Sequence, residues 1–156
     1  MKKYLVSCIA ILTFGLMFAW LALAFTKVDM GALGSSSSSG YDILKAGTSE
    51  NASSASNARY VFMLLAIIFG GVSFLAACAA GLKAAGYLKV KLDLNMVVVC
   101  LLCFTALLAV VSVICGFCIE VPEAMKDYVK IGAGVILFPL MSVLGAVAAF
   151  VFRKAK

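Results

Sequence analysis

The sequence predicts an all-α integral membrane protein: a bundle of four transmembrane helices with both termini cytoplasmic. Two observations carry this expectation. All thirteen basic and seven acidic residues lie outside four apolar runs, Tyr4–Thr26, Tyr60–Leu82, Leu94–Ile119 and Ile131–Phe152. At about 1.5 Å per helical residue, each run can cross a hydrocarbon layer roughly 30 Å thick. The hydrophobic fraction of 65% and mean hydropathy of +1.14 exclude an ordinary soluble fold. No connection is long enough to be an independent domain, so residues 1–156 read as a single membrane domain.

The spans are expected at 4–26, 60–82, 94–119 and 131–152. An outer loop spans 27–59, an inner loop 83–93 and a second outer loop 120–130. After Lys2-Lys3, the first run ends in Ala22-Leu23-Ala24, the layout of a signal peptide, but it is longer than the usual apolar region of one and reads as a retained span. Trp20 and Phe25 are expected at the outer interface. The 27–59 segment contains Ser35–Ser39 and a second Ser/Asn/Ala-rich stretch, a composition that predicts a flexible loop. Asn51-Ala52-Ser53 fits a glycosylation sequon, a tripeptide frequent by chance. Helix kinking is expected at Pro139.

The net charge of +6 is a topology signal rather than a nucleic-acid one. Lys2, Lys3, Lys83, Lys89, Lys91, Arg153, Lys154 and Lys156 crowd into the two tails and the middle connection, opposed only by Asp93. Basic residues mark cytoplasmic segments. Both termini and loop 83–93 are therefore expected in the cytoplasm of a plasma membrane, with loop 27–59 outside. Membrane lipids are the expected partners, anionic headgroups meeting the inner face. No nucleic-acid partner and no cofactor is expected.

The cysteines are the most specific chemical feature. Cys100, Cys103, Cys115 and Cys118 fall on one stripe of the third span at about 100° per residue, with Phe104, Leu107, Val111 and Ile114. Cys8, Cys78 and Cys100 share similar inner-leaflet depth, with Cys103 one turn deeper, so a thiol cluster of the four suited to Cu(I) or Zn is a candidate metal site; packing of cysteine as a small apolar residue is the plainer alternative. Cys115 and Cys118 are a candidate disulfide.

Small residues form the second pattern. Gly70, Ser73, Ala77 and Gly81 on the second span, and Gly132, Gly145 and Ala149 on or beside the fourth, allow close helix approach. They could serve packing within one chain or assembly between chains. Asn95, Thr105 and Ser112 are candidate pore-lining residues if a channel forms between subunits. The spans hold no ionisable acid or base other than thiols and tyrosines, which argues against a proton-coupled carrier.

The layout resembles that of claudin-type and MARVEL-type tetraspans: a long first outer loop, a short basic inner turn, a short second outer loop and inner termini. The claudin Trp-Gly-Leu-Trp motif and loop cysteine pair are absent, so the resemblance covers layout alone. The cysteine pairs also resemble those of four-span quinone-linked thiol oxidases, but both outer loops lack the further cysteines of that relay. The functional expectation is a non-enzymatic tetraspan subunit acting by assembly, as a homo-oligomer or with other membrane proteins. The alternatives are a channel between subunits and a membrane thiol-redox protein.

Overall fold

The computed structural model describes residues 4–29, 34–48, 52–121, 123 and 126–154. Its elements are α1 (Leu5–Leu21), β1 (Ala24–Asp29), β2 (Ser35–Ser39), α2 (Gly40–Ala46), α3 (Ser54–Ala84), α4 (Leu94–Phe117), β3 (Val129–Ile131) and α5 (Ala133–Lys154). The four long helices pack together, α3 against α4, α4 against α5, and α1 against α5 and α3. The three strands form one antiparallel sheet in the order β2-β1-β3. It lies at one end of the helices, the sheet pole. The turn between α3 and α4 and the end of α5 lie at the opposite end, the turn pole.

The four-span expectation is corrected here. Among the described residues, three helices are long and apolar enough to cross a membrane: α3, α4 and α5. The protein is thus a multi-helix membrane-associated protein, with five helices among the described residues rather than a four-helix tetraspan bundle. The tetraspan assembly function inferred from four spans falls with that count, and so does the even parity used to place both termini on one side. The physical reason lies in α1. It has 17 residues, about 26 Å at the helical rise, because the apolar run leaves the helix before it ends.

Strand pairing ends α1 early. The last turn tightens, with the Leu23 N–H donating to the Trp20 carbonyl at 3.0 Å. Thr26, Lys27 and Val28 then pair on both sides, with Ser38, Ser37 and Ser36 of β2 and with Ile131, Lys130 and Val129 of β3. These long-range bonds override the local helical pattern. The register shifts between Ala24 and Thr26, so Phe25 sits at a bulge, where a strand can re-aim a side chain. Phe25 is 2% exposed, buried rather than placed at a membrane interface.

The serine tract is also ordered against its composition. β2 leads directly into α2 through a capping box: Asp42 N–H donates to the Ser39 hydroxyl, while the Ser39 N–H and hydroxyl donate to the Asp42 carboxylate, both at 2.7 Å. Those bonds, the Ser39 N–H first, hold the Asp42 carboxyl below its ordinary value. Tyr41 ties α2 to α1 by donating to the Phe18 carbonyl. Gly40 is pressed so closely against Leu21, Met63 and Phe25 that a Cβ would lie 2.7–2.9 Å from them.

The core falls into two clusters. One, towards the turn pole, contains Val6, Ala10, Ala77, Val98, Leu102, Ala106 and Ala149. The other, under the sheet, contains Met17, Leu21, Phe25, Met63, Leu108 and Phe138. α5 runs as one helix through Pro139. At the turn pole, Asp93 accepts from the Met96 N–H as the N-cap of α4 and pairs with Arg153 at 3.2 Å. Partial burial pushes its carboxyl up, but hydrogen bonds from Arg153 and the Met96 N–H outweigh this and hold it below its ordinary 3.8.

Two predictions follow from the packing and the cap. A Cβ on Gly132 would lie 1.9 Å from the Ala24 carbonyl oxygen, whereas Gly81 faces open space. Gly132→Ala should destabilise by more than about 1 kcal/mol, while Gly81→Ala should be neutral or stabilising by up to about 1 kcal/mol, read by thermal unfolding in detergent. A depressed folded-state pKa adds stability above the unfolded value and loses it as pH falls through the folded one. The Asp93 contribution should therefore be intact above pH 3.8 and fade at lower pH. Asp93→Ala should lower stability at neutral pH by about 1 kcal/mol, and Asp93→Asn, which retains a capping oxygen, by less.

Candidate anion-binding pocket

A cavity of ≈ 250 Å³ lies under the sheet pole, between β1, β3 and the ends of α3 and α4. Phe25, Phe117, Ile119, Val121, Val129, Ile131 and Val135 form its apolar wall. Its basic lining comes from Arg59, Lys126 and Lys130, and among the described residues no acidic one lines it.

Arg59 is positioned by three elements. It sits in the second turn of α3, which begins six residues before the expected span because Ser53 caps it by accepting from the Ser56 N–H. Its guanidinium lies over the Phe25 ring, 5.6 Å from the centroid, a favourable cation–aromatic geometry. On another side is Gly116 of α4, where a Cβ would come within 3.2–3.4 Å of Arg59 Nε, Cδ and Cζ. The glycine thus leaves a bed for the cation. Ser112 fixes the same junction by donating to the Arg59 carbonyl at 3.2 Å.

Among the described residues no carboxylate pairs with Arg59. Lys126 lies 3.8 Å from Glu123 and Lys130 lies 3.9 Å from Asp29, both exposed pairs of the kind that contributes little and is easily exchanged. The cavity therefore combines a half-buried guanidinium, two lysines and an apolar wall. Phe117 and Ile131, each 60% exposed, extend that apolar surface outward. Chemically, the arrangement can hold an anion that carries an apolar body.

The sequence-predicted residues are distributed differently. The cysteine stripe of α4 faces outward: Cys100, Cys103 and Cys118 are exposed, with Phe104, Leu107 and Ile114. Cys8 is exposed too, and Cys78 is half-buried. Among the described residues, no three acidic or thiol groups converge on a metal-sized site; the proposed cluster of Cys8, Cys78, Cys100 and Cys103 is not assembled. Cys115 and Cys118 carry free thiols at the end of α4, on either side of the pocket-lining Gly116 and Phe117.

Most of the small residues are used inside the chain. Gly70 meets Phe14, and Gly145 meets Thr13 so closely that a Cβ would lie 2.2 Å from its hydroxyl oxygen. Ser73, Ala77 and Ala149 are buried, and Gly132 seats β3 against β1. Gly81 alone among the named set meets open space. The suggested pore residues also turn inward: Thr105 is fully buried and donates to the Leu101 carbonyl, and Ser112 is 3% exposed. Asn95 lies at the turn pole, its Oδ1 enclosed without a partner among the described residues.

Sequence reasoning missed Arg59, which falls at the last position of the expected 27–59 loop. The available signal was its place directly before an apolar run. Nothing local showed that Phe25 and Gly116 would converge on it. No protein family, curated protein or solved structure matches the chain.

The outward cysteine face gives a direct check. A lipid-soluble maleimide should modify Cys8, Cys100 and Cys103 in the folded, membrane-embedded protein, and chelator treatment should leave its thermal stability unchanged. Protection of these thiols, released by chelator, would contradict the outward arrangement.

Proposed function

We propose that this protein is a non-catalytic, membrane-embedded binding protein for an anionic amphiphile: an acyl chain with a carboxylate or phosphate headgroup. One observation carries the reading. Arg59 stands without a carboxylate among the described residues, between the Phe25 ring and Gly116, in a cavity whose other polar lining includes Lys126 and Lys130. A half-buried guanidinium favours an anion that can accept more than one hydrogen bond. The apolar wall favours an attached hydrocarbon.

The volume narrows the ligand further. At ≈ 250 Å³ the cavity is below the roughly 300–1,000 Å³ of drug-sized sites. It suits a headgroup and the beginning of a chain, with the remainder passing Phe117 and Ile131 into the bilayer. We orient the turn pole, with Lys83, Lys89, Lys91, Arg153 and Lys154, towards the cytoplasm and its anionic headgroups. This places the pocket at the opposite membrane surface.

The test is binding by the full chain in detergent micelles or nanodiscs, using native mass spectrometry and fluorescent-probe displacement. Oleate and a single-chain lysophosphatidic acid should both bind, the better of the two identifying the headgroup. Oleyl alcohol and inorganic phosphate should bind far more weakly. Arg59→Gln should lower oleate affinity at least tenfold, corresponding to about 1.4 kcal/mol, with Arg59→Lys intermediate. Equal binding of oleate and oleyl alcohol, or equal affinity of wild type and a folded Arg59→Gln variant, would refute the proposal.

A further inference from the structure

We infer that Cys115 and Cys118 form a reversible disulfide that reshapes the wall of the Arg59 pocket; as a control on ligand binding, this rests on the pocket reading above. The pair encloses the two residues that α4 contributes to the cavity, Gly116 and Phe117. Gly116 is the bed of the Arg59 guanidinium, and Phe117 is part of the apolar wall. Both thiols are free, Cys118 exposed and Cys115 half-buried.

The bond would require the helix end to move. Side chains three apart on a regular helix have Cβ atoms about 5–6 Å apart, whereas a disulfide needs about 3.5–4.5 Å. The last turn already tends towards the tighter form: the Cys118 N–H is shared between the Ile114 and Cys115 carbonyls, both at 3.2 Å, and the Ile119 N–H reaches the Gly116 carbonyl at 3.5 Å. Tightening this turn swings the intervening Gly116–Phe117 segment. Arg59 packs on that segment, so the guanidinium loses its bed as the wall moves.

The chemistry balances with a low-molecular-weight disulfide as oxidant. The exposed Cys118 thiolate attacks one sulfur of the oxidant, forming a mixed disulfide and releasing one thiolate. The Cys115 thiolate then attacks Cys118 Sγ and expels the second. Two cysteine thiols are oxidised to one S–S bond, the oxidant's S–S bond is reduced to two thiols, and the protons pass from the cysteines to the departing thiolates. Excess dithiol reverses both steps.

The experiment treats the full chain in detergent with oxidised glutathione, blocks residual thiols and maps the linkage by peptide mass. Oleate affinity and amide hydrogen exchange over residues 112–121 and 24–28 are then compared with the reduced protein. The expected result is a Cys115–Cys118 linkage, altered exchange in both segments and at least tenfold weaker oleate binding, reversed by dithiothreitol. The Cys115→Ser/Cys118→Ser double variant should retain the reduced protein's affinity under both treatments. Failure to form the linkage, unchanged exchange, or unchanged affinity in a protein that binds oleate would each overturn the inference. If the reduced protein binds neither oleate nor lysophosphatidic acid, the ligand reading falls by itself, and the exchange data decide whether the disulfide moves the wall.

Discussion

The burial of Phe25 is the constraint on which the sheet pole depends. Its ring lies 6.1 Å from Phe138 of α5 and under the Arg59 guanidinium of α3. It also fills the space left by Gly40 and Gly134. Its carbonyl accepts the Gly132 N–H at 3.0 Å, joining the strand to the entry of α5. One bulged residue thus links α2, α3, α5 and the sheet. Burying a phenylalanine side chain contributes on the order of 2–3 kcal/mol, and the glycines around it permit the approach. The same placement shortens α1 and prepares a surface on which a cation can rest.

The helices use a complementary device. Among membrane helices the hydrophobic effect supplies little drive for association, so close van der Waals packing and hydrogen bonding matter. Gly70 receives Phe14, and Gly145 receives Thr13. The Thr13 hydroxyl is returned to its own helix through the Ile9 carbonyl, as Thr105 is to Leu101 and Ser142 to Phe138. These three hydroxyls enter the core with their donors satisfied, whereas the buried Ser7 and Ser73 hydroxyls have no partner among the described residues. Ser112 departs from this pattern by bonding across to the Arg59 carbonyl, connecting the helix core with the pocket.

The sequence made the apolar character of the long helices legible. The runs beginning at Tyr60, Leu94 and Ile131 lie largely within α3, α4 and α5, because no charge interrupts them. It misplaced the end of α1 because Phe25 and Thr26 are equally apolar-compatible in a helix or a strand, and the choice is made by Ser38 and Ile131, distant in sequence. The cysteine spacing predicts one stripe; Cys100, Cys103 and Cys118 are exposed and Cys115 is half-buried. Spacing alone does not say whether a stripe faces the core, and in a membrane protein both faces are apolar. The pocket was least legible: Arg59, Phe25 and Gly116 come from three separate elements and form no local motif.

The serine strand carries a different consequence. Shifting a strand by one residue ordinarily exchanges its two faces, and mismatched side chains resist the error. In Ser35–Ser39 every position is the same, so β2 contains almost no information about its own alignment with β1. That information is supplied from outside the strand, by the Ser39–Asp42 box and by Gly40 lodged against Leu21, Met63 and Phe25. α2 acts as the strand's clasp: an uninformative ribbon is held in register because its end is fastened.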